Sequence, residues 1–250
     1  MNLSKRKEIP EEDLKAFHFL NEKTNYRYER KFTLPASHSL RSVEGLIKRN
    51  SSLFREIYSQ RKVNNIYFDT YRYSNYFDNV LGVSDRKKMR IRWYGETFGE
   101  ISKPVLEVKL KKGLVGDKWS YPLKPFLLDE HFTLQKIQEI FRQSDLPLTI
   151  GSPLKSMSPT LLNSYERKYY LSADNNYRIT MDFNLRYYQI DSHKNSFKQQ
   201  AYCDQNTIIE LKYGLDHDPM ASKISTQFPF RMDKNSKYVN GVNFLKRFPQ

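Results

Sequence analysis

Hydrophobic and polar residues alternate with a period of two along eight segments of the chain. Such alternation is typical of β-strands that bury one face. Three further segments, 38–49, 132–143 and 219–227, have the apolar spacing of helices. The alternating segments are 26–34, 63–69, 86–94, 103–112, 117–123, 162–171, 177–189 and 206–213. The pattern predicts a mainly β protein (α+β) with flanking helices.

The length of 250 residues suits a single domain. Residues 144–159 contain three Pro, four Ser and one Gly, and we expect them to connect two halves of one barrel. Residues 1–25 are interpreted as an N-terminal helical arm, with a helical pattern at 11–20, and 26–250 as a tunnel domain. A helix over a barrel mouth, a docking segment and a disordered segment fit the arm equally well.

Charged residues occupy one face of several predicted strands. In 86–94, Lys88, Arg90 and Arg92 share a face, while Met89 and Ile91 lie on the other. The same arrangement recurs as Glu107, Lys109 and Lys111, as Glu210 and Lys212, as Arg178, Thr180 and Asp182, and as Arg27, Glu29 and Lys31. On any one strand, a solvated outer face with cross-strand ion pairs explains this pattern best. Because the predicted helices need apolar strand faces to pack on, five such strands together favour charged faces that point inward.

An interior lined with cations needs an anionic partner, since buried like charges oppose one another. The chain has 42 Lys and Arg against 28 Asp and Glu, a formal net charge of +14, which also indicates an anion. Arg side chains bind phosphate oxygens bidentately and Lys acts as a point charge, so a ladder of both suits a phosphate chain. Glu-x-Lys occurs at 29–31, 107–109 and 210–212, and pairs a candidate Mg²⁺ or Mn²⁺ ligand with a phosphate-binding cation.

The expected compartment follows from cysteine use and hydropathy. Cys203 is the single cysteine, so no internal disulfide is possible. No run of 18 apolar residues occurs, and four of the first ten residues are charged. We therefore expect a cytoplasmic protein with no membrane span and no signal peptide.

Eight short motifs resemble a known family. They are YRYERKF at 26–32, IYFDT at 66–70, MRIRWYG at 89–95, LEVK at 106–109, YERKY at 165–169, RITMD at 178–182, IELKY at 209–213 and KNSKY at 234–238. In this order they are similar to the VTC domain, the polyphosphate polymerase domain of the vacuolar transporter chaperone. That domain belongs to the CYTH-like superfamily of triphosphate tunnel metalloenzymes.

The resemblance implies a closed eight-stranded antiparallel β tunnel that binds ATP with Mn²⁺ or Mg²⁺. It also implies transfer of the γ-phosphoryl group onto a growing inorganic polyphosphate chain. The phosphate ligands it implies are Lys31, Arg90, Arg92, Lys109, Arg167, Arg178, Lys234 and Lys237. The catalytic set it implies is Arg90, Arg92, Lys109, Arg167, Arg178 and Glu210. Glu210 is the principal metal ligand by this resemblance, while Glu29 and Glu107 either join it or orient the cations through ion pairs.

Several alternatives stay open at this point. The same fold accommodates a tripolyphosphatase or a nucleoside triphosphatase, and a cation-lined tunnel also suits a polyphosphate-binding module without turnover. A metal dependence of product formation separates the enzymes from the binder. Nucleic acid is the least favoured partner, because most aromatic residues alternate to the apolar side of the strands. The residues make no prediction of oligomeric state.

Overall fold

The computed structural model describes residues 27–195, 197 and 201–246. The strands are β1 Arg27–Leu34, β2 Arg55–Asp69, β3 Asp85–Tyr94, β4 Gly99–Ile101, β5 Val105–Lys112, β6 Val115–Pro122, β7 Phe126–Leu128, β8 Ser158–Leu171, β9 Tyr177–Tyr188, β10 Tyr202–Asp204 and β11 Thr207–Gly214. The helices are α1 Leu40–Arg49, α2 Ser74–Val80, α3 Leu134–Gln143, α4 Leu148–Leu154, α5 Asp218–Thr226 and α6 Lys237–Lys246, with a 3₁₀ turn at Leu215–His217. The predicted N-terminal helical arm lies outside the described residues.

Eight strands pair in a closed antiparallel ring. Their order is β9, β11, β1, β6, β5, β3, β2 and β8, and β8 pairs back with β9. Strand β10 adds to β9, while β4 and β7 form a separate two-stranded sheet. The predicted eight-stranded antiparallel architecture is confirmed.

Strand register places charged residues of neighbouring strands side by side. In the β3–β5 pair, Arg90 is the partner of Glu107. In the β1–β11 pair, Lys31 is the partner of Glu210. Because side chains alternate between the two faces of a strand, each such pair fixes a row of charged residues on one side of the ring and a row of apolar residues on the other.

The apolar faces point outward and are covered by helices. Met89 and Ile91 of β3 are buried in one cluster with Ile137 of α3. Ile209 of β11 and Ile47 of α1 are buried in a second cluster, to which α5 also contributes. A third cluster joins α2 and α6 to β2, β8 and β9 and lies partly on the cavity side, since its members Tyr67, Tyr165 and Tyr238 line the cavity. The first two clusters agree with the inward orientation predicted for the charged faces.

The structure differs from the sequence prediction in strand length and helix number. Strand β2 begins at Arg55 rather than at 63, because its register against β8 shifts at Glu56/Tyr58 and at Tyr58/Arg61 and the simple alternation is lost there. The segment 144–159, predicted as a connector, contains the short helix α4, in which Gly151 and Pro153 hide the helical pattern. Helices α2 and α6 were not predicted.

Candidate functional site

The strand ring encloses a cavity of about 740 Å³. Its walls come from strands β1, β2, β3, β5, β6, β8, β9 and β11 and from the start of α6. Three acidic residues line it, Glu29, Asp117 and Glu210. Twelve basic residues line it: Arg27, Lys31, Arg61, Lys88, Arg90, Arg92, Lys109, Lys118, Arg167, Arg178, Lys212 and Lys237. The excess of positive charge makes the cavity a receptor for a polyanion.

One group of cations is held by Glu107 of β5. Its Oε2 accepts from Arg90 Nε at 2.9 Å and Arg90 Nη2 at 2.7 Å, and lies 3.5 Å from Arg92 Nη1. Its Oε1 accepts from Lys118 Nζ at 2.8 Å. Burial alone would raise the pKa of Glu107, but the three cations hold that pKa well below its usual value. Glu107 is therefore a fixed anion that orients three basic side chains.

The arginines of this group are also held from the side. Arg90 Nη1 donates to the Tyr67 hydroxyl at 3.2 Å, and Arg92 Nε donates to Asn65 Oδ1 at 2.9 Å. Arg92 Nη2 donates to the Tyr165 hydroxyl at 3.2 Å. Because each guanidinium has fixed neighbours on several sides, the guanidinium groups of Arg90 and Arg92 are preorganised to bind an anion.

A second group is built on β1 and β11. Lys31 Nζ lies 3.4 Å from Glu210 Oε1 and 3.9 Å from Glu29 Oε2, and donates to the Asn235 carbonyl at 2.9 Å. Lys109 Nζ donates to both oxygens of Glu29, at 2.8 and 3.0 Å. Lys212 Nζ lies 2.8 Å from Glu210 Oε2. This group alternates cations and carboxylates along one wall.

The carboxylates of this second group are held ionised. Burial would raise the pKa of each, but Lys109, Lys212 and Lys31 hold the pKa of Glu29 well below its usual value. Lys212, Lys31 and Lys237 do the same for Glu210. Both carboxylates therefore offer hard oxygen donors at neutral pH.

A third group is buried and ties α6 to the ring. Asp182 of β9 is 0% exposed and accepts from Arg167 Nε at 2.5 Å and Nη2 at 2.7 Å. Lys237 Nζ at the start of α6 lies 2.6 Å from Asp182 Oδ2 and 3.6 Å from Glu210 Oε1. Asp182 is not among the lining residues, but it thus fixes two lining cations.

Two lysines have lowered pKa values. Burial, followed by repulsion from Lys31 and Lys109, lowers the pKa of Lys88 to about 7. Burial also lowers the pKa of Lys109 to about 8, although Glu29 opposes that change. Both lysines face the cavity. An anion bound there would therefore favour their charged forms and raise their pKa values.

The sequence can be compared with known proteins at this point. Residues 26–246 match the family model of the VTC domain. The chain belongs to the VTC domain family. Among curated proteins no sequence matches this VTC domain.

Three solved structures are similar to this VTC domain. An adenylate cyclase candidate from Vibrio parahaemolyticus gives a TM-score of 0.49 at 10% identity, over 86% of this chain and 97% of that chain. An adenylyl cyclase candidate from Hippeastrum, reported to have a dominant triphosphatase activity, gives 0.49 at 13% identity, over 88% and 95%. A protein from Pyrococcus horikoshii gives 0.45 at 11% identity, over 88% and 98%.

Most of the predicted site residues of this VTC domain lie together. Nine of them line the cavity: Lys31, Arg90, Arg92, Lys109, Arg167, Arg178, Glu210, Lys237 and Glu29. Glu107 is buried and is not among the lining residues, but it contacts Arg90, Arg92 and Lys118, which are. Lys234 is exposed and is not among the lining residues.

Several lining residues were missing from the predicted site. Lys88 and Lys212 share strand faces with predicted residues, so their parity was a usable signal. Lys118 lies in the strand predicted at 117–123, whose charged residues were not assigned to either face. Arg61 follows a register shift of β2, where alternation carries no information.

The donors for a divalent metal are the carboxylates of Glu29 and Glu210. Both face the cavity on neighbouring strands and both are ionised, which suits Mg²⁺ or Mn²⁺. Glu107 fits less well, because it is not among the residues that line the cavity. In the described part of the chain no three Asp, Glu, His or Cys side chains form a metal-binding group. Glu29 and Glu210 would hold the metal, which would supply neutralisation of charge on a bound phosphate chain.

The family and the cavity together support a triphosphate-handling tunnel enzyme. Within the described residues, no helix combines the length and the apolar character needed to cross a membrane.

Proposed function

We propose that this VTC domain is a polyphosphate polymerase that transfers the γ-phosphoryl group of ATP onto a growing inorganic polyphosphate chain. The observation that carries the proposal is the lining of the cavity, in which twelve basic residues face three acidic ones. A single triphosphate would leave much of this positive charge without a partner. A longer phosphate chain alongside the nucleotide would neutralise more of it.

Phosphoryl transfer needs alignment and charge neutralisation more than covalent help from the protein. A terminal oxygen of the acceptor chain attacks the γ-phosphorus, the bond from that phosphorus to the β–γ bridging oxygen breaks, and ADP leaves. The acceptor oxygen is already anionic, so this step needs no general base. Arg90, Arg92 and Arg167, each fixed by a carboxylate, hold donor and acceptor in line.

A divalent cation held by Glu210 and Glu29 would supply further neutralisation of the phosphate oxygens. Glu210 also has a role without metal. It holds Lys31, Lys212 and Lys237 within 2.8 to 3.6 Å, and these three cations belong to three different elements. Substitution of Glu210 therefore disturbs both the metal donors and the position of three phosphate ligands.

The test incubates the purified protein with ATP and Mn²⁺ or Mg²⁺, with and without a short polyphosphate primer. Products are resolved by gel electrophoresis and phosphorus NMR. We expect metal-dependent chains longer than the primer, and a loss of at least about 100-fold in rate for Glu210→Gln. Glu96→Gln is the matched control, since Glu96 is 87% exposed in its pair with Lys62.

The products separate the alternatives. Orthophosphate without chain growth would reassign the protein to a tripolyphosphatase or nucleoside triphosphatase. Tight polyphosphate binding without any turnover would leave a binding module. Equal rates for Glu210→Gln and Glu96→Gln would remove Glu210 from the mechanism.

A further inference from the structure

An arginine surrounded by three tyrosines lies at one mouth of the cavity. The guanidinium carbon of Arg61 is 4.8 Å from the ring centre of Tyr58, 5.6 Å from that of Tyr94 and 5.7 Å from that of Tyr169. The rings of Tyr58 and Tyr169 meet edge to face at 5.6 Å. These four residues, here termed the tyrosine cage, all line the cavity.

The strand ends define where the cage lies. Tyr58 is near the start of β2, while Tyr94 is the last residue of β3 and Tyr169 is near the end of β8. Since neighbouring strands are antiparallel, these positions lie at the same end of the ring. Lys88 lies near the start of β3, so the row Tyr94, Arg92, Arg90, Lys88 runs from the cage into the cavity.

The local backbone is irregular where it forms the cage. Simple alternation would send Tyr58 and Arg61 to opposite faces of β2. The register against β8 shifts between these two residues, and both side chains line the cavity. Bulges of this kind commonly re-aim side chains next to functional sites.

The exposure of the cage indicates a ligand. Tyr58 and Tyr94 are each 52% exposed although both border a cavity, so their rings leave apolar surface in contact with water. Among the ion pairs found in the described residues, none includes Arg61, whereas the central arginines Arg90 and Arg167 are each paired with a carboxylate. Aromatic faces beside an unpaired guanidinium form a platform on which a planar heterocycle stacks.

We propose that the tyrosine cage is the nucleobase subsite of this enzyme. The donor would be a nucleoside triphosphate whose phosphates enter the cavity first at this mouth, while its base stays in the cage. The inference rests on the proposed function and extends it. Arg61 is the register partner of Arg167, so a base in the cage has its phosphates directed at the central cations.

The test compares two ligands that share a triphosphate, ATP and tripolyphosphate. Their dissociation constants are measured by calorimetry without metal, for the wild type and for the double variant Tyr58→Leu, Tyr94→Leu. We expect the double variant to lose about tenfold in ATP affinity and to keep its tripolyphosphate affinity within about twofold. The affinity of each ligand is compared between the wild type and the variant. The difference in charge between ATP and tripolyphosphate therefore does not affect the comparison.

Two control variants sharpen the comparison. Tyr58→Phe with Tyr94→Phe keeps both rings and should keep ATP affinity. Tyr71→Leu removes a tyrosine that is 94% exposed and does not line the cavity, and it should change neither affinity. Unfolding curves for all variants check that the fold is retained.

The outcomes separate this inference from the proposed function. An equal loss for both ligands in the Leu variant, or no loss for either, would overturn the nucleobase subsite while triphosphate binding by the tunnel stands. Failure of the wild type to bind either ligand would overturn the proposed function and this inference with it.

Discussion

At the scale of single residues, Lys88 differs from the other central lysines. Lys31 lies between two carboxylates, Glu29 and Glu210. Lys88 Nζ instead donates to the neutral hydroxyl of Ser236, at 2.9 Å. Burial and the surrounding cations lower its pKa to about 7, so the free protein holds it largely neutral above that pH.

Binding of a polyphosphate chain should therefore take up protons at pH 8.5. The bound anion favours the charged form of Lys88 and raises its pKa, so affinity is highest below pH 7 and falls as the pH rises from there. The pKa of Lys109, about 8, should shift in the same sense. Calorimetry in buffers with different ionisation enthalpies measures the uptake.

The variant Lys88→Met should take up fewer protons than the wild type, with Lys109 accounting for part of the remainder. Titration of the ligand's own end groups is common to both proteins and cancels in the difference. Lys103→Met, at an exposed position outside the lining, should match the wild type. If Lys88→Met and wild type take up equal numbers of protons, Lys88 is not the titrating group.

At the scale of secondary structure, helix α6 delivers Lys237 to the site. Its close approach to the ring depends on Gly241, where an added Cβ would lie 2.5 Å from Leu161 Cδ2 and 2.6 Å from Tyr187 Cδ1. Leu161 and Tyr187 are fully buried. The helix can therefore move away only by losing contacts with β8 and β9.

Gly241→Ala should destabilise the fold by about 1–3 kcal/mol, because overpacking a filled contact forces such a shift. It should also weaken tripolyphosphate binding, since Lys237 moves with the helix. Gly151→Ala in α4 is the matched control, because nothing lies within 4 Å of its added Cβ, and alanine there should leave stability equal or up to about 1 kcal/mol higher. Urea unfolding and calorimetry measure the two effects, and equal stability of the two variants would contradict the tight contact.

The same scale shows what the sequence could predict. Alternation located all eight ring strands and most lining cations, because Arg90, Arg92 and Lys109 lie on regular strands. Arg61 was missed because it follows a bulge, which parity does not detect. The burial of Glu107 and Asp182 against lining cations depends on which strands are neighbours, and this is known only once the ring has closed.

At the scale of the whole molecule, the ring has a topological consequence. The eight strands close on themselves, and the shortest pairing, between β1 and β6, joins Arg27 to Gly116. The cations lie on the inner faces of this ring. We therefore expect a phosphate polymer longer than the cavity to enter by a chain end.

Linear and cyclic polyphosphates of equal phosphate number test this consequence. A linear chain can place its end among Arg90, Arg92 and Arg167, whereas a large ring has no end to insert and reaches only exposed cations at the mouths. A linear chain at 100 times its dissociation constant should raise the free energy of unfolding by about 2.7 kcal/mol. The cyclic form at the same concentration should give a much smaller increase, and one that falls more steeply with added salt, because exposed charges are screened more than buried ones. Thermal unfolding with both ligands measures the difference, and equal stabilisation by the two would mean that phosphate chains bind outside the ring.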